Sequence, residues 1–248
     1  MLKILDNKFL VLYIIPFCLG SISILSFQPF NLTVVNFVSL SSLFLILCYV
    51  NKKTKNIYRK KPFLMNLFLV GYFFGIGFFL FGNYWISYSL TVSNQFYFLI
   101  PFSIILLPLF LGLFFGLTTL FVGKYLKHNL SSVLLFCASL SLADFIRSKI
   151  LTGFPWNLWA YSWSWFVEII QLVNLTGLFA FNLISITLFC IPTVLFFKKY
   201  KFKYLSIFTL ILIFLSMYVY GSFKINQNQK TLTTYLDNQR VNFKVISP

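Results

Sequence analysis

Apolar stretches run through the chain one after another, most of them near the ~20 residues that an α-helix needs to cross the ~30 Å hydrocarbon core of a bilayer. They cover residues 9–27, 32–50, 63–81, 96–122, 130–145, 169–197 and 204–220, with short basic or turn-forming segments between them. Charged residues are 10% of the sequence, against about 25% in soluble domains. The chain therefore reads as an all-α polytopic membrane protein with about seven transmembrane helices. The first stretch has the length of a signal peptide, but no small-residue cleavage site follows it, and Ile15-Pro16-Phe17 is too bulky before Cys18 for a lipoprotein cleavage box. It reads as an uncleaved helix. Pro101 and Pro108 predict kinks in the fourth stretch.

Basic residues orient such a bundle. Of the 20 Lys and Arg, fourteen fall in segments that share one face of the membrane: Lys3 and Lys8, six between Lys52 and Lys61, Lys124 and Lys127, and Lys198, Lys199, Lys201 and Lys203. The other face holds Arg147, Lys149 and four in the tail. The N-terminus is thus expected in the cytoplasm and the C-terminus outside, with all five tryptophans on the outer side. The same placement disposes of a nucleic-acid reading of the +16 net charge, because the basic residues sit in short inter-span runs. A membrane domain over residues 1–221 would be followed by a polar juxtamembrane linker, 222–240. In residues 241–248, Val241, Phe243 and Val245 alternate with polar residues as in a β-strand, which by itself has no fold.

One stretch, residues 143–161, interrupts the lipid-soluble pattern. Asp144 and Arg147 stand one helical turn apart at the end of the fifth span. Gly153 and Pro155 then forbid a smooth helical continuation, and Trp156, Trp159, Tyr161, Trp163 and Trp165 follow at once. A charged pair, a broken backbone and dense aromatics make either a site at the membrane–water interface or an aromatic anchor with a structural ion pair. Asn83-Tyr84-Trp85 caps the third span at the same interface, and Gly71, Gly75 and Gly82 fall within about 40° of one another on that helix, a stripe for close helix contact.

Other chemistry is thinly represented. Cys18, Cys48, Cys137 and Cys190 are scattered singly in apolar spans, as small hydrophobes rather than disulfide partners, metal ligands or nucleophiles. His128 is the single histidine, which excludes a His-based triad or zinc site. No metal and no cofactor is expected, and no catalytic residue is assigned.

Three stretches together resemble the bacterial apolipoprotein N-acyltransferase family: F-Q-P-F-N at 27–31, G-Y-F-F-G-I-G-F-F-L-F-G-N-Y-W-I-S-Y-S-L at 71–90, and D-F-I-R-S-K-I-L-T-G-F-P-W-N-L at 144–158. The run from Gln171 through Gly177 to Asn182 also fits. The chain departs from the family in having Asp144 where Glu is usual, and in lacking the nitrilase-like domain, with its Glu, Lys and Cys, that should begin near Phe243. The resemblance implies a multi-pass protein of the bacterial inner membrane with its site on the periplasmic side. It also implies a reaction in which a Cys thiolate takes an acyl chain from a phospholipid donor and passes it to the α-amine of a diacylglyceryl-cysteine on a lipoprotein acceptor. This chain would supply the lipid-substrate part alone, truncated or completed by a separately encoded nitrilase-like domain.

Asp144, Arg147, Gly153, Phe154, Pro155, Trp156, Asn157 and Tyr161, with Tyr84 and Trp85, are the candidate lipid-substrate wall. Arg147 would meet a lipid phosphate, be neutralised by Asp144, or both. Glu168 reads as a solvated interfacial acid, or as the partner of a lipid ammonium. A non-enzymatic lipid-binding scaffold or a small transporter subunit is the alternative; a transporter should carry ionisable groups at mid-bilayer, and these spans are almost free of them.

Reporter fusions at Asn56 and Asn228 should report opposite sides of the membrane; the same side from both would mean that the number of spans is wrong.

Overall fold

A computed structural model describes residues 7–57, 62–150, 153–198 and 200–238. Seven apolar helices carry it. α1 (Leu10–Ser26) opens with a π turn and tightens to a 3-10 turn at its end. α2 (Val34–Ile57) and α3 (Pro62–Asn83) follow. A 3-10 turn, Asn94–Leu99, leads into α4 (Ile100–Gly123). α5 (Leu130–Arg147) starts at Asn129, whose side chain accepts the Ser132 N–H at 3.0 Å in a normal N-cap. α6 (Leu178–Cys190) runs into a second 3-10 turn, Ile191–Phe196, and α7 (Lys203–Asn238) closes the described chain.

Six of these elements are long and apolar enough to cross a membrane, and the all-α polytopic reading holds. The first expected span is the shorter helix α1.

The structure refines the expected elements. The sixth span was expected as one helix over 169–197, but it begins only at Leu178. Gly177 has φ 78° and ψ 164°, a conformation closed to other residues, and this turns the chain between two short helices, Val167–Ile170 and Leu172–Thr176, and α6. The polar segment after Ser222, expected as a linker, continues α7 as helix to Asn238. Pro101 lies in the first turn of α4, where its missing N–H costs nothing, and only Pro108 is interior. The strand expected over 241–248 lies outside the described residues.

α3 is the centre of the bundle, packed against α4, α1 and α2. Between helices in lipid there is little hydrophobic drive, so close approach and interhelical hydrogen bonds must hold them. The sequence provides both. A Cβ on Gly75 would stand 2.8 Å from Gly112 Cα, and Gly71 lies equally tight against Thr119 and the Phe115 carbonyl. Thr119 also donates to the Leu67 carbonyl at 2.9 Å, tying α4 to α3. On the other flank Gly20 and Gly77 let α1 and α3 meet backbone to backbone. The expected stripe is therefore divided: Gly71 and Gly75 face α4, whereas Gly82 faces Ile24 and Asn157.

Gly75→Leu should cost about 1–3 kcal/mol or more, the usual range for overpacking, because the neighbouring Gly112 atoms are backbone and cannot rotate away. Thermal unfolding in detergent would measure it, and a neutral result would place the glycine against lipid.

Candidate functional site

The C-terminal end of α5 builds the site. Arg147 is its last residue, where the partial negative charge of the helix C-terminus favours a cation. One turn back, Asp144 Oδ1 accepts from Arg147 Nη2 at 3.0 Å. Both side chains are almost wholly buried, Arg147 being 2% exposed. A buried ion pair survives only when its remaining donors and acceptors are satisfied. Here they nearly all are. Arg147 Nη1 donates to the Phe154 carbonyl at 2.7 Å and to the Trp156 carbonyl at 2.8 Å. Asp144 Oδ2 accepts from Asn182 Nδ2 at 2.9 Å, and Asn182 Oδ1 in turn accepts the Ala160 N–H at 3.0 Å. The guanidinium lies 5.1 Å from the centre of the Phe79 ring and 5.9 Å from that of Phe154. Only its Nε is buried without a partner.

This constellation holds α5, α6 and the irregular segment after Arg147 together. Gly153 at φ 85° lets that segment turn back over Ser148, where any Cβ would overlap the Ser148 carbonyl. Asn157, at φ 56°, uses the tolerance of Asn for the left-handed region. Its Nδ2 donates to Asn83 Oδ1 at 2.6 Å, which anchors the segment to the end of α3. A 3-10 turn, Trp159–Trp163, follows. Thr33, just after the F-Q-P-F-N turn, donates to the Ser162 carbonyl at 2.7 Å and accepts from Trp165 Nε1 at 2.7 Å. The turn between α1 and α2 is thereby joined to the same platform.

The aromatic residues divide into two groups. Trp159 is fully buried, stacked on Phe78 at 4.8 Å, and Trp163 is stacked on Phe189 at 5.3 Å with its Nε1 on Ser185 Oγ at 3.1 Å. These two are core, not interface. Trp156 and Trp85 are half exposed and meet edge to face at 5.6 Å, with Trp85 Nε1 on the Gly82 carbonyl at 3.0 Å. Pro155 lies exposed beside Trp156. Tyr84 is exposed and pairs edge to face with Tyr88, ring centres 6.4 Å apart. Tyr161 is partly buried; burial pushes its phenol pKa up while the Arg147 charge pulls it down.

Beneath the loop a cleft of about 220 Å³ opens between α4 and the end of α5. Its walls are Leu107, Phe110, Leu111 and Phe114 on one side and Arg147, Ile150, Gly153 and Phe154 on the other. Both Nη atoms of Arg147 are turned to protein oxygens, and the walls of the cleft are mostly apolar. Of the residues picked out in the sequence, Asp144, Arg147, Gly153, Phe154, Trp156 and Asn157 are brought together, with Trp85 at the rim. Asn182, Asn83 and Phe79 complete the site and were not among them. The two asparagines were visible as lone amides at or inside apolar spans, a sign of a buried partner.

The fold and site define a polytopic helical membrane domain in which a pinned, aromatic, non-helical loop follows α5. The chain belongs to the apolipoprotein N-acyltransferase family: residues 19–191 match the model described as apolipoprotein N-acyltransferase N-terminal domain. It is 33% identical over 221 residues to the apolipoprotein N-acyltransferase of Rickettsia prowazekii (strain Madrid E), which covers 89% of this chain and 42% of that protein. Against the protein of the same name from Brucella melitensis biotype 1 it is 30% identical over 180 residues, 72% of this chain and 34% of the relative. The chain thus spans less than half the length of the curated relatives it matches.

Arg147→Ala strands a buried carboxylate and two carbonyls, and should cost about 3–5 kcal/mol. Arg147→Lys should recover only part of this, since an ammonium cannot fork across three oxygens. Denaturation in detergent would measure both; a loss below about 1 kcal/mol for Ala would mean that the ion pair does not hold the loop.

Proposed function

We propose that this chain is the membrane half of a lipoprotein N-acylation system at the periplasmic face of a bacterial inner membrane. It holds a phospholipid acyl donor and a diacylglyceryl-lipoprotein acceptor while an acyl chain moves from the phospholipid to the α-amine of the acceptor's diacylglyceryl-cysteine. Family membership supports the reaction class. The observation that carries the lipid-holding role is the mostly apolar cleft between α4 and α5, walled on one side by Gly153 and Phe154 of the loop that Arg147 pins; Trp156, paired edge to face with Trp85, follows two residues after Phe154. Such a cleft suits a hydrocarbon chain, with interfacial tryptophans at the level of the head group.

Arg147 is a positioning residue in this reading. Its terminal nitrogens are committed to Asp144, Phe154 and Trp156, so it shapes the wall and does not touch a phosphate. Acyl transfer through a thioester needs an ionised thiol, an oxyanion stabiliser and a route for the proton. Cys48, Cys137 and Cys190 are buried in the apolar core, and Cys18 is exposed on the side of α1. His128 lies against Phe197, not beside a cysteine. We therefore assign the chemical step to a nitrilase-like domain, in the same polypeptide or on a separate partner chain.

Two experiments test this in a host depleted of its own enzyme. Residues 1–248 expressed alone should give no lipoprotein N-acylation; activity from them would overturn the assignment. In a chimera joining this chain to the remainder of the Rickettsia prowazekii relative, Leu107→Trp, which narrows the cleft, and Trp156→Ala should each lower acylation about tenfold, or about 1.4 kcal/mol, at unchanged protein abundance. Unaltered acylation in both variants would remove the cleft from the reaction.

A further inference from the structure

α7 is fastened to the bundle at two levels and stands off it between them. At the outer level Gly221 meets the Glu168 carbonyl so closely that a Cβ would overlap it. At the inner level α7 packs on the turn Ile191–Phe196. Two apolar clefts flank it in between and share Leu188 as a wall residue. The larger, about 600 Å³, lies between α6 and α7, with Leu172, Leu183, Ile184, Ile213 and Met217 among its walls.

Its three side-chain hydroxyls, apart from Tyr220, are turned back to their own helices. Thr187 donates to the Leu183 carbonyl at 2.8 Å, Ser216 to the Ile213 carbonyl at 2.7 Å and Thr176 to the Leu172 carbonyl at 3.1 Å. The walls therefore offer carbon. The volume and lining suit a hydrocarbon chain. In a bilayer, however, an apolar wall gives little preference for any lipid, because the surrounding tails are equally apolar. Selectivity has to come from the rim.

Glu168 stands at one end of the cleft: its carbonyl packs on Gly221, next to the wall residue Tyr220. It lies on the short helix Val167–Ile170, four residues before the wall residue Leu172. Among the described residues no cation pairs with the Glu168 carboxylate. We propose that the α6–α7 cleft is a lipid site that holds one hydrocarbon chain of a membrane lipid whose ammonium head group meets Glu168. It is separate from the cleft between α4 and α5 and does not rest on the acyl-transfer reading.

The test uses the purified protein in nanodiscs containing equal amounts of phosphatidylethanolamine and phosphatidylglycerol, each photoactivatable in the acyl chain, with the adducts mapped by mass spectrometry. Adducts are expected on Ile184, Leu188 and Ile213, with phosphatidylethanolamine favoured about threefold, the scale of an interfacial ion pair. E168Q should bring the two lipids to parity without lowering total labelling. Thr187→Trp should abolish adducts in this cleft while those between α4 and α5 persist. Equal labelling by both lipids in the unaltered protein, or an E168Q variant that keeps the preference, would overturn the head-group assignment. A photo-crosslinker at Ile213 that captures a second copy or another protein segment, with lipid adducts missing, would overturn the site.

Discussion

The buried guanidinium of Arg147 is the interaction on which the segment after α5 and its neighbours depend. A backbone that leaves its helix at membrane depth must find new partners for its carbonyls, because lipid provides none. α5 ends at Arg147, the chain turns back at Gly153, and Arg147 satisfies part of the irregular segment by donating to the carbonyls of Phe154 and Trp156. The positive charge that makes it a strong donor then has to be neutralised, which Asp144 does, and Asn182 completes the coordination of the carboxylate. Each member makes the next affordable. The cluster is thus a stabilised break in a helix rather than an ion pair added to a finished fold.

That cluster in turn rests on α3. Phe79 lies beneath the guanidinium, Phe78 carries the Trp159 ring, and Asn83 receives Asn157. α3 can occupy the centre because its glycines, with Gly112 and Gly20 on neighbouring helices, remove the side chains that would otherwise separate the backbones. Dispersion at short range replaces the hydrophobic drive that lipid cannot supply. α7 has a different character. It lies largely exposed along one flank and approaches the bundle closely at Gly221, leaving clefts where the others have contacts.

Burial redistributes the roles of the aromatic and charged residues. Arg147 had two readings, phosphate contact and structural cation, which can coexist; its terminal nitrogens are committed to Asp144, Phe154 and Trp156, which supports the second. The tryptophans separate in the same way: Trp159 and Trp163 are core stacks, while Trp85, Trp156 and Trp165 remain at the surface. The cleft between α4 and α5 is thereby bounded by a cation whose terminal nitrogens are already committed to protein oxygens.

By itself the sequence determined the helical spans, since runs of apolar residues near 20 long admit little else in a bilayer. The charge asymmetry of its loops, the one-turn spacing of Asp144 and Arg147, and the break at Gly153 and Pro155 were equally local and equally legible. Only the tertiary structure decided what the pair was for, because its further partners, Asn182 and the carbonyls of the broken loop, depend on how α6 and the chain fold back on α5. It also decided that the sixth apolar stretch is broken at Gly177 and that α7 continues through polar residues to Asn238. Hydropathy reads whether a segment tolerates lipid and is blind to a single backbone torsion or to helix continuing into water. Which indole is buried is settled by neighbours distant in sequence, as Trp159 is by Phe78 and Trp163 by Phe189.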